Sequence, residues 1–259
     1  MNLPAWVLAG LAAALFSLLR YLLIAGPPFL LLWVWGKKRW ARFRIQPKPP
    51  RGREPLREFL WSLSSMLVFG LVGISVYALQ KSGWGRIYFD LDRHGRPYVF
   101  LSLVLMILAH DAYFYLTHRW MHGPAVFDRV HRIHHLSRNP SPLAAFSFHP
   151  LEAAVQGAIL PLLVILLPLH PLAIFLFLVY TTVLNVSGHL GFEFLPKGFA
   201  RHPVWGLSNT SVHHNMHHSE VNCNYSLYFN IWDKIMATNH PKYLATYDRV
   251  KSRTAGRRS

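Results

Sequence analysis

The sequence has very little cysteine, few acidic residues and a small share of charge overall. With Cys223 as its only cysteine, the chain cannot form an internal disulfide framework or a cysteine-based metal cage. Charged residues make up 15% of the 259 residues while 52% are hydrophobic, which is unusual for an ordinary soluble domain. The low share of charge and the high share of hydrophobic residues favour a membrane protein. With a single cysteine, a metal site must bind mainly through side chains other than cysteine.

The scarcity of acidic residues gives the chain a strong positive charge, because 27 Lys and Arg face only 11 Asp and Glu. A nucleic-acid-binding protein can carry such an excess, but its basic residues should line a polar surface. Here they lie between and after long apolar runs, so nucleic acid is not expected as a partner. The pattern is typical of basic loops beside membrane-spanning helices.

The apolar runs are long enough to cross a bilayer. Residues 3–24 form the first, and the lack of positive charge before it argues against a signal peptide. Gly26, Pro27 and Pro28 should break or kink this helix before residues 29–35, which leaves open one kinked span or a re-entrant hairpin. Further spans are predicted at 59–79, at 98–115, and at 151–188, where two spans would join at residues 168–171.

A basic loop gives the expected orientation. Residues 37–57 contain nine basic residues, one acid, Glu54, and four prolines. The positive-inside rule places this loop in the cytoplasm, where it either rests on anionic head groups or is simply solvated. The crossings then bring the histidine-rich segments to the same side and residues 80–97 to the other. A bacterial inner membrane is favoured over the endoplasmic reticulum.

Histidine is plentiful, with 16 copies, and most of them recur at helical spacing. Residues four apart on a helix share a face, so such pairs can bind one metal ion or adjacent ions. The pattern HxxxH at 118–122 is followed by HxxHH at 131–135 and again at 214–218. These histidines exceed the needs of one ion, which indicates two ions side by side. Imidazole suits zinc, copper, iron and nickel alike, so the ligand type does not identify the metal.

Two classes of function fit this pattern. A pair of redox-active iron ions beside an apolar substrate would suit the activation of O2 for attack on a C–H bond, although the Glu-x-x-His motif of soluble di-iron bundles is absent. The alternative is a membrane zinc-binding or metal-transport protein that uses the same histidines without oxidation chemistry. A transporter should carry its ligands near the bilayer midplane, whereas these motifs follow the spans, which favours the enzyme.

The histidine motifs resemble those of a known family. In chain order they are His110-Asp111, His118-Arg119-x2-His122, His131-x2-His134-His135, Phe148-His149-Pro150-Leu151-Glu152, His189-Leu190-Gly191-Phe192-Glu193 and His214-x2-His217-His218. Together with Asn224-Tyr225 and Ile231-Trp232-Asp233-Lys234, they resemble the fatty acid hydroxylase superfamily, nearest its sterol desaturase branch. The resemblance covers about residues 98–242, which we expect to form the catalytic domain between a transmembrane region, 1–97, and a basic tail, 243–259.

The resemblance implies an all-α integral membrane bundle of about four transmembrane helices with a cytoplasmic histidine-rich helical cap. It also implies a non-haem di-iron oxygenase that uses two Fe ions and O2 to hydroxylate or desaturate a lipid, such as a sterol, hopanoid or fatty acyl chain. Electrons would come from a separate donor of cytochrome b5 or ferredoxin type with a reductase. Zinc is possible in the purified protein, since it binds imidazole more tightly than ferrous iron.

The resemblance implies nine histidines as catalytic metal ligands. They are His118, His122, His131, His134, His135, His189, His214, His217 and His218. A metal-bound histidine usually needs a partner for its second ring nitrogen, and several residues are candidates for such support. They are His110, Asp111, Asp128, His149, Glu152, Glu193 and Asp233.

Two of these supporting residues leave alternatives open. Glu193 is either a carboxylate ligand or a partner of ligand histidines, and the second is favoured. His110 lies two turns before His118 on a helix, about 12 Å along its axis, too far for the same ion. His110 and Asp111 therefore serve an outer position or a proton path, and a buried hydrogen-bonded pair is an equal alternative.

Overall fold

The computed structural model describes residues 3–48 and 52–255. The long helices are α1 (Ala5–Pro28, continued by a π-helix, Phe29–Trp35), α2 (Glu54–Lys81), α3 (Arg96–Met121) and α8 (Pro171–Gly188), numbered among all α-helices in chain order. The shorter ones are α4 (Phe127–Val130), α5 (Arg132–His135), α6 (Pro150–Gly157), α7 (Ile159–Leu166), α9 (Ser211–Glu220), α10 (Ile231–Ile235) and α11 (Tyr243–Ala255). In these described residues there is no strand, only three isolated β-bridges.

The predicted all-helical membrane fold is confirmed. Four helices are long and apolar enough to cross a membrane, namely Ala5–Trp35, Glu54–Lys81, Arg96–Met121 and Pro171–Gly188. Large apolar side chains on them point outward: Leu23, Leu67 and Phe100 are 72%, 71% and 70% exposed. Such apolar surface is expected where a helix faces lipid rather than water. The chain is a multi-pass membrane protein.

The first apolar region forms one span rather than a hairpin. Pro27 and Pro28 lie inside the helix, and the backbone N–H of Phe29 donates to the carbonyls of Ala25 and Gly26. Proline lacks a backbone donor, and the helix responds by changing from α to π hydrogen bonding at Phe29 instead of breaking. The span therefore continues to Trp35, where the basic loop begins.

The region 150–188 differs from the two spans predicted there. Only α8 is long enough to cross a membrane, and the preceding apolar stretch, Pro150–Leu166, is shorter and divided into α6 and α7. Pro161 explains the division, because it has no N–H to bond the carbonyl of Gly157, where α6 ends. A bridge between Ile87 and Leu169 brings the end of α7 to the loop between α2 and α3.

Helices α1 and α2 pack closely because small residues meet between them. A Cβ atom added at Gly73 would lie 2.3 Å from the Cβ of Ala13, so only glycine permits this approach. The pair supports a 3-10 turn, Pro142–Phe146, which lies between the helices and the histidine segments. Tyr21 Oη and Ser62 Oγ both donate to the Leu143 carbonyl at 3.0 and 2.9 Å, and these bonds fix the turn.

The residues after α8 fold into a cap that also holds the basic loop. Tyr247 and Val250 of α11 are fully buried and pack in one apolar cluster with Val212 of α9 and with Ile45. The basic tail predicted at 243–259 is therefore helical up to Ala255. Residues 1–2, residues 49–51 of the predicted basic loop and residues 256–259 of that tail lie outside the described residues.

Candidate metal centre

The nine histidines predicted as ligands come together in two adjacent groups. The first group comprises His118, His122, His131, His135 and His217, and the second comprises His134, His189, His214 and His218. Within each group the candidate ligand nitrogens all lie within 4.8 Å of one another. Eight of the nine are almost fully buried, and His122 is half-buried.

Each HxxHH motif supplies both groups. Its first and fifth histidines, such as His214 and His218, belong to one group. They are four residues apart, slightly more than one helical turn, so they lie on the same face of the helix. The fourth histidine, such as His217, points about 100° away from the fifth and belongs to the other group. The motif is therefore suited to two ions placed side by side rather than to one.

Backbone carbonyls fix the ring orientation of three histidines. Nδ1 of His118 lies 2.7 Å from the Tyr225 carbonyl oxygen, Nδ1 of His189 lies 2.7 Å from that of Asn185, and Nδ1 of His217 lies 2.6 Å from that of Cys223. A carbonyl oxygen only accepts, so Nδ1 must carry the proton in each ring. The lone pair then lies on Nε2, which points into the cluster.

In the second group four Nε2 atoms converge, and the tautomer of one of them, His189, is set by a carbonyl. Nε2 of His189 lies 3.0 Å from Nε2 of His214, 3.1 Å from that of His218 and 3.4 Å from that of His134. In zinc sites the metal–nitrogen bond is about 2.0–2.1 Å, so nitrogens at neighbouring corners lie about 3.0–3.4 Å apart. The observed separations match that spacing, and these four residues fit a metal ion.

In the first group the Nε2 atoms are separated by similar distances. Nε2 of His131 lies 3.0 Å from Nε2 of His118 and 3.2 Å from that of His135. Neither ring nitrogen of His122 nor Nε2 of His217 has a hydrogen-bond partner among the described residues. Buried polar nitrogens without partners are costly unless a ligand satisfies them, so this group also fits a metal ion.

The charge state of the rings suits metal binding. Burial, followed by repulsion from neighbouring imidazoles, lowers the pKa of His134, His214 and His218 well below its usual value. Burial likewise lowers the pKa of His189 to about 4. These imidazoles are therefore neutral near pH 7, and neutral imidazole is the form that binds a metal.

Glu152 supports the first group directly. It is fully buried, and its Oε1 lies 2.8 Å from Nδ1 of His131. Burial raises the pKa of this carboxyl well above its usual value. A carboxylate in this position can orient a metal-bound histidine, and that role of Glu152 stays a prediction.

Asp233 supports the site through a loop rather than through a ligand. Its two carboxylate oxygens accept the backbone N–H groups of Tyr225 and Ser226, and it lies 3.3 Å from Nε2 of His213, which belongs to neither group. Burial alone would raise the pKa of Asp233, but hydrogen bonds from His213, Thr238 and this backbone hold it below its usual value. Asp233 thus holds the loop whose Tyr225 carbonyl orients His118.

Three other predicted supporting residues contact no histidine of either group. The Glu193 carboxylate accepts the backbone N–H groups of Leu195 and Val212 and so fixes the start of α9. Nδ1 of His149 accepts the N–H of Leu151 and caps α6. Asp128 is exposed and forms a surface pair with Arg132.

His110 and Asp111 join α3 to the loop that follows α9. Nδ1 of His110 lies 2.6 Å from the Tyr228 hydroxyl, and Asp111 Oδ1 accepts the N–H groups of Tyr228 and Phe229. Both side chains are buried, and each bonds this loop rather than the other residue. His110 also lines an apolar cavity.

This cavity lies beside the histidine groups. It encloses about 850 Å³ of empty space, its open mouth included, between α1, α2, α7 and α8. Two of its lining residues touch the second histidine group: the Phe148 ring centroid lies 5.2 Å from that of His134, and the Asn185 carbonyl bonds His189. An extended apolar molecule in the cavity would therefore approach the candidate metal centre.

Sequence reasoning did not assign some residues that shape the site. The Tyr225 ring packs 5.0 Å from His122 and 5.7 Å from His217, measured between centroids. The carbonyls of Asn185 and Cys223 carry no sequence signal, because any residue has a carbonyl. Arg20 did carry one, since an ionisable residue inside a predicted span is rare without a function.

Comparisons with known proteins identify relatives of this chain. The model of the fatty acid hydroxylase family matches residues 103–238. Lathosterol oxidase of Mus musculus is 28% identical over 188 residues, covering 71% of this chain and 61% of its own length. The Delta(7)-sterol 5(6)-desaturase of Eremothecium gossypii is 27% identical over 230 residues, covering 87% of this chain and 60% of its own length.

The chain thus spans about three fifths of the length of these curated relatives. No solved structure was found to match it. The matched region contains both histidine groups and amounts to more than half of the chain. The chain therefore belongs to the fatty acid hydroxylase family.

Proposed function

We propose that this protein is an O2-dependent oxygenase that hydroxylates or desaturates a lipid, with two iron ions held by its nine clustered histidines. One observation carries the proposal: two groups of neutral, buried imidazoles lie beside an apolar cavity in a bundle of membrane helices. Iron bound there would activate O2, and O2 would be the oxidant for attack on a C–H bond, with electrons from a separate donor. Residues 98–242 would form this catalytic unit.

The chain itself provides binding, orientation and exclusion of water. The aromatic walls of the cavity, among them Phe146, Phe148 and Phe177, would hold a lipid chain or ring and keep water away from the reacting carbon. The carbonyl bonds to His118, His189 and His217 would hold the ligand rings in place. Lathosterol oxidase and the sterol desaturases make sterols the first substrates to test.

The activity is tested with membranes that contain the protein and a competent electron donor, of cytochrome b5 or ferredoxin type, with its reductase. We expect O2 uptake that depends on added lipid and an oxidised lipid product identified by mass spectrometry. Membranes from cells without the gene are the control. Tight zinc binding without any lipid-dependent O2 uptake, across sterols and fatty acyl lipids, would contradict the proposal and favour a metal-binding or transport protein.

We expect about two metal ions per chain, because each histidine group has enough nitrogens for one ion. Iron is the expected active metal, so elemental analysis of protein purified from iron-replete cells should find iron bound to the chain. Zinc after overexpression would not count against iron, since imidazole sites bind zinc more tightly than ferrous iron. A reproducible content of one ion per chain would contradict a centre with two ions.

The histidine cap would face the cytoplasm, on the same side as the basic loop. The loop residues Lys37 and Lys38 directly follow the first span, and the positive-inside rule favours the cytoplasm for them. Single cysteines at Lys38 and Arg93, with Cys223 replaced, should be labelled from opposite sides of the membrane. Labelling of Lys38 from the outer side would reverse this orientation.

A further inference from the structure

A basic groove lies at the end of the first membrane span. It encloses about 990 Å³ of empty space, its open side included, between the π-helical end of that span, the basic loop and the start of α2. Phe29 and Trp33 line it from the span, and Lys37, Lys38 and Arg44 line it from the loop. The groove is therefore apolar on the side that belongs to the membrane helix and cationic on the side that belongs to the loop.

The positive charge of the groove is not balanced by the protein. Lys37 and Lys38 are exposed, and none of the ion pairs found in residues 3–48 and 52–255 includes either lysine or Arg44. Glu54 is the nearest acid along the chain, but it does not line the groove and it belongs to none of these ion pairs. Three like charges around one groove repel one another, and an anion between them would remove that repulsion.

Aromatic rings hold Arg44 in the wall of the groove. Its guanidinium carbon lies 5.4 Å from the Trp33 ring centroid and 5.4 Å from that of Phe192. Its Nε is buried, so a ligand would meet the two terminal nitrogens of this half-buried side chain. A guanidinium whose plane is held against rings loses little freedom when it binds, and its terminal nitrogens suit the oxygens of a phosphate.

We propose that this groove binds one anionic phospholipid, with its phosphate between Lys37, Lys38 and Arg44 and the start of an acyl chain against Phe29 and Trp33. The apolar half favours a lipid over a soluble phosphate, because it continues the surface of the membrane span. The three cations favour an anionic lipid over phosphatidylcholine, whose own cationic group they would repel. The site depends on the membrane location of the chain and not on the proposed oxidation.

The wall of the groove is joined to the segment that follows His189 of the second histidine group. Trp33 Nε1 donates to the Leu190 carbonyl at 2.9 Å, and the backbone N–H of Ile45 donates to the Gly191 carbonyl at 3.1 Å. A ligand that binds only the folded arrangement stabilises it. Phospholipid in the groove should therefore slow the local opening of both contacts beside the candidate metal centre.

The test adds phosphatidylglycerol to the full chain, purified in detergent and freed of its own lipid, and counts bound lipid molecules by native mass spectrometry. Wild-type protein should bind one phosphatidylglycerol molecule about tenfold or more tightly than it binds phosphatidylcholine. The double variant Lys37→Gln/Lys38→Gln should bind phosphatidylglycerol about ten- to fiftyfold more weakly, the loss expected for two cations beside an anionic head group. Both lysines are exposed, so this variant should fold.

Arg39→Gln/Arg42→Gln is the matched control. It removes two positive charges from the same loop, and both arginines are exposed but do not line the groove. This variant should bind phosphatidylglycerol like the wild type. Excess glycerol 3-phosphate, which carries the phosphate without an acyl chain, should not displace the lipid from wild-type protein.

Equal losses in the two double variants would mean that the loop attracts anionic lipid through its total charge, and would overturn the inference. Equal affinity of wild-type protein for phosphatidylglycerol and phosphatidylcholine would also overturn it. Displacement by glycerol 3-phosphate would indicate a site for soluble phosphate and contradict a lipid site. None of these measurements needs turnover, so failure of the proposed oxidation would leave the lipid site standing.

Hydrogen exchange measures the expected link to the segment after His189. Phosphatidylglycerol should slow exchange of the Ile45 amide, which donates to the Gly191 carbonyl, in wild-type protein. The same lipid concentration should have little effect in Lys37→Gln/Lys38→Gln. Unchanged exchange in wild-type protein with bound lipid would contradict this link.

Discussion

His134→Ala and His217→Ala should each abolish O2-dependent lipid oxidation and lower the bound metal. His134 is one of four nitrogen donors in its group, so its loss leaves an ion with three protein ligands and an open position. His217 belongs to the other group, and the Cys223 carbonyl holds its Nε2 toward that group. Loss of a partner to a ligand costs about 10–100-fold, so loss of a ligand should cost more than about a hundredfold.

The comparison needs protein that is inserted in the membrane and supplied with an electron donor, since a missing donor would mimic a dead site. Both variants should insert normally, because the apolar spans determine insertion. His240→Ala is the control: its Nδ1 accepts the N–H of Lys242, and His240 belongs to neither group. It should keep most of the activity. Near-normal turnover by His217→Ala would contradict the proposed two-metal oxygenase.

The histidine motifs could be predicted from the sequence because helical spacing is a local property. Residues four apart share a helix face whatever the rest of the chain does, so the pairing of His131 with His135 and of His214 with His218 follows from their spacing. The grouping of His189 with His134, separated by 55 residues, depends on how α8 packs against the loop segments. The sequence therefore indicated two ions without indicating which histidines share each group.

Supporting contacts were harder to predict for a similar reason. From the sequence alone, Glu152, Glu193 and Asp233 had similar possible roles, because all three are acids near a histidine motif. Only Glu152 approaches a clustered histidine, and the other two bind backbone N–H groups that hold α9 and the Tyr225 loop. A carboxylate satisfies backbone donors as readily as it orients a histidine, so residue type alone does not separate these roles.

The division between α6 and α7 explains why the predicted span at this position is wrong. The apolar run after residue 150 suggested a full span, and Pro168 and Pro171 suggested that this span ends in a turn at residues 168–171. Pro161 lies within the run and removes a bond to the Gly157 carbonyl, so the helix divides there. The opposite happened at Pro27, where α1 continues, because the change to π hydrogen bonding restores the helix.

Gly191 joins the first span to the candidate metal centre, and its replacement should disrupt both. It lies two residues after His189 with a φ of 72°, in the left-handed region that glycine adopts easily. A Cβ atom there would lie 2.4 Å from Cζ2 of Trp33 and 3.2 Å from the Pro140 carbonyl oxygen. Trp33 cannot move away freely, because its Nε1 donates to the Leu190 carbonyl at 2.9 Å.

Gly191→Ala should therefore lower the free energy of unfolding by about 2–5 kcal/mol, from left-handed strain and from overpacking. Metal content should fall as well, because the strain reaches the segment that carries His189. Gly198→Ala is the control: its φ of 84° gives similar strain, but nothing lies within 4 Å of the added Cβ atom. It should cost only about 1–2 kcal/mol and leave the metal content unchanged.

Crowding and strain can then be separated by a double-mutant cycle that combines Gly191→Ala with Trp33→Leu. The smaller leucine removes the indole atoms that the new Cβ atom would meet, so the double variant should be less destabilised than the sum of the two single variants. Thermal unfolding and elemental analysis of the detergent-purified proteins measure both effects. Strictly additive losses would mean that Trp33 does not confine Gly191, and that backbone strain alone requires glycine beside His189.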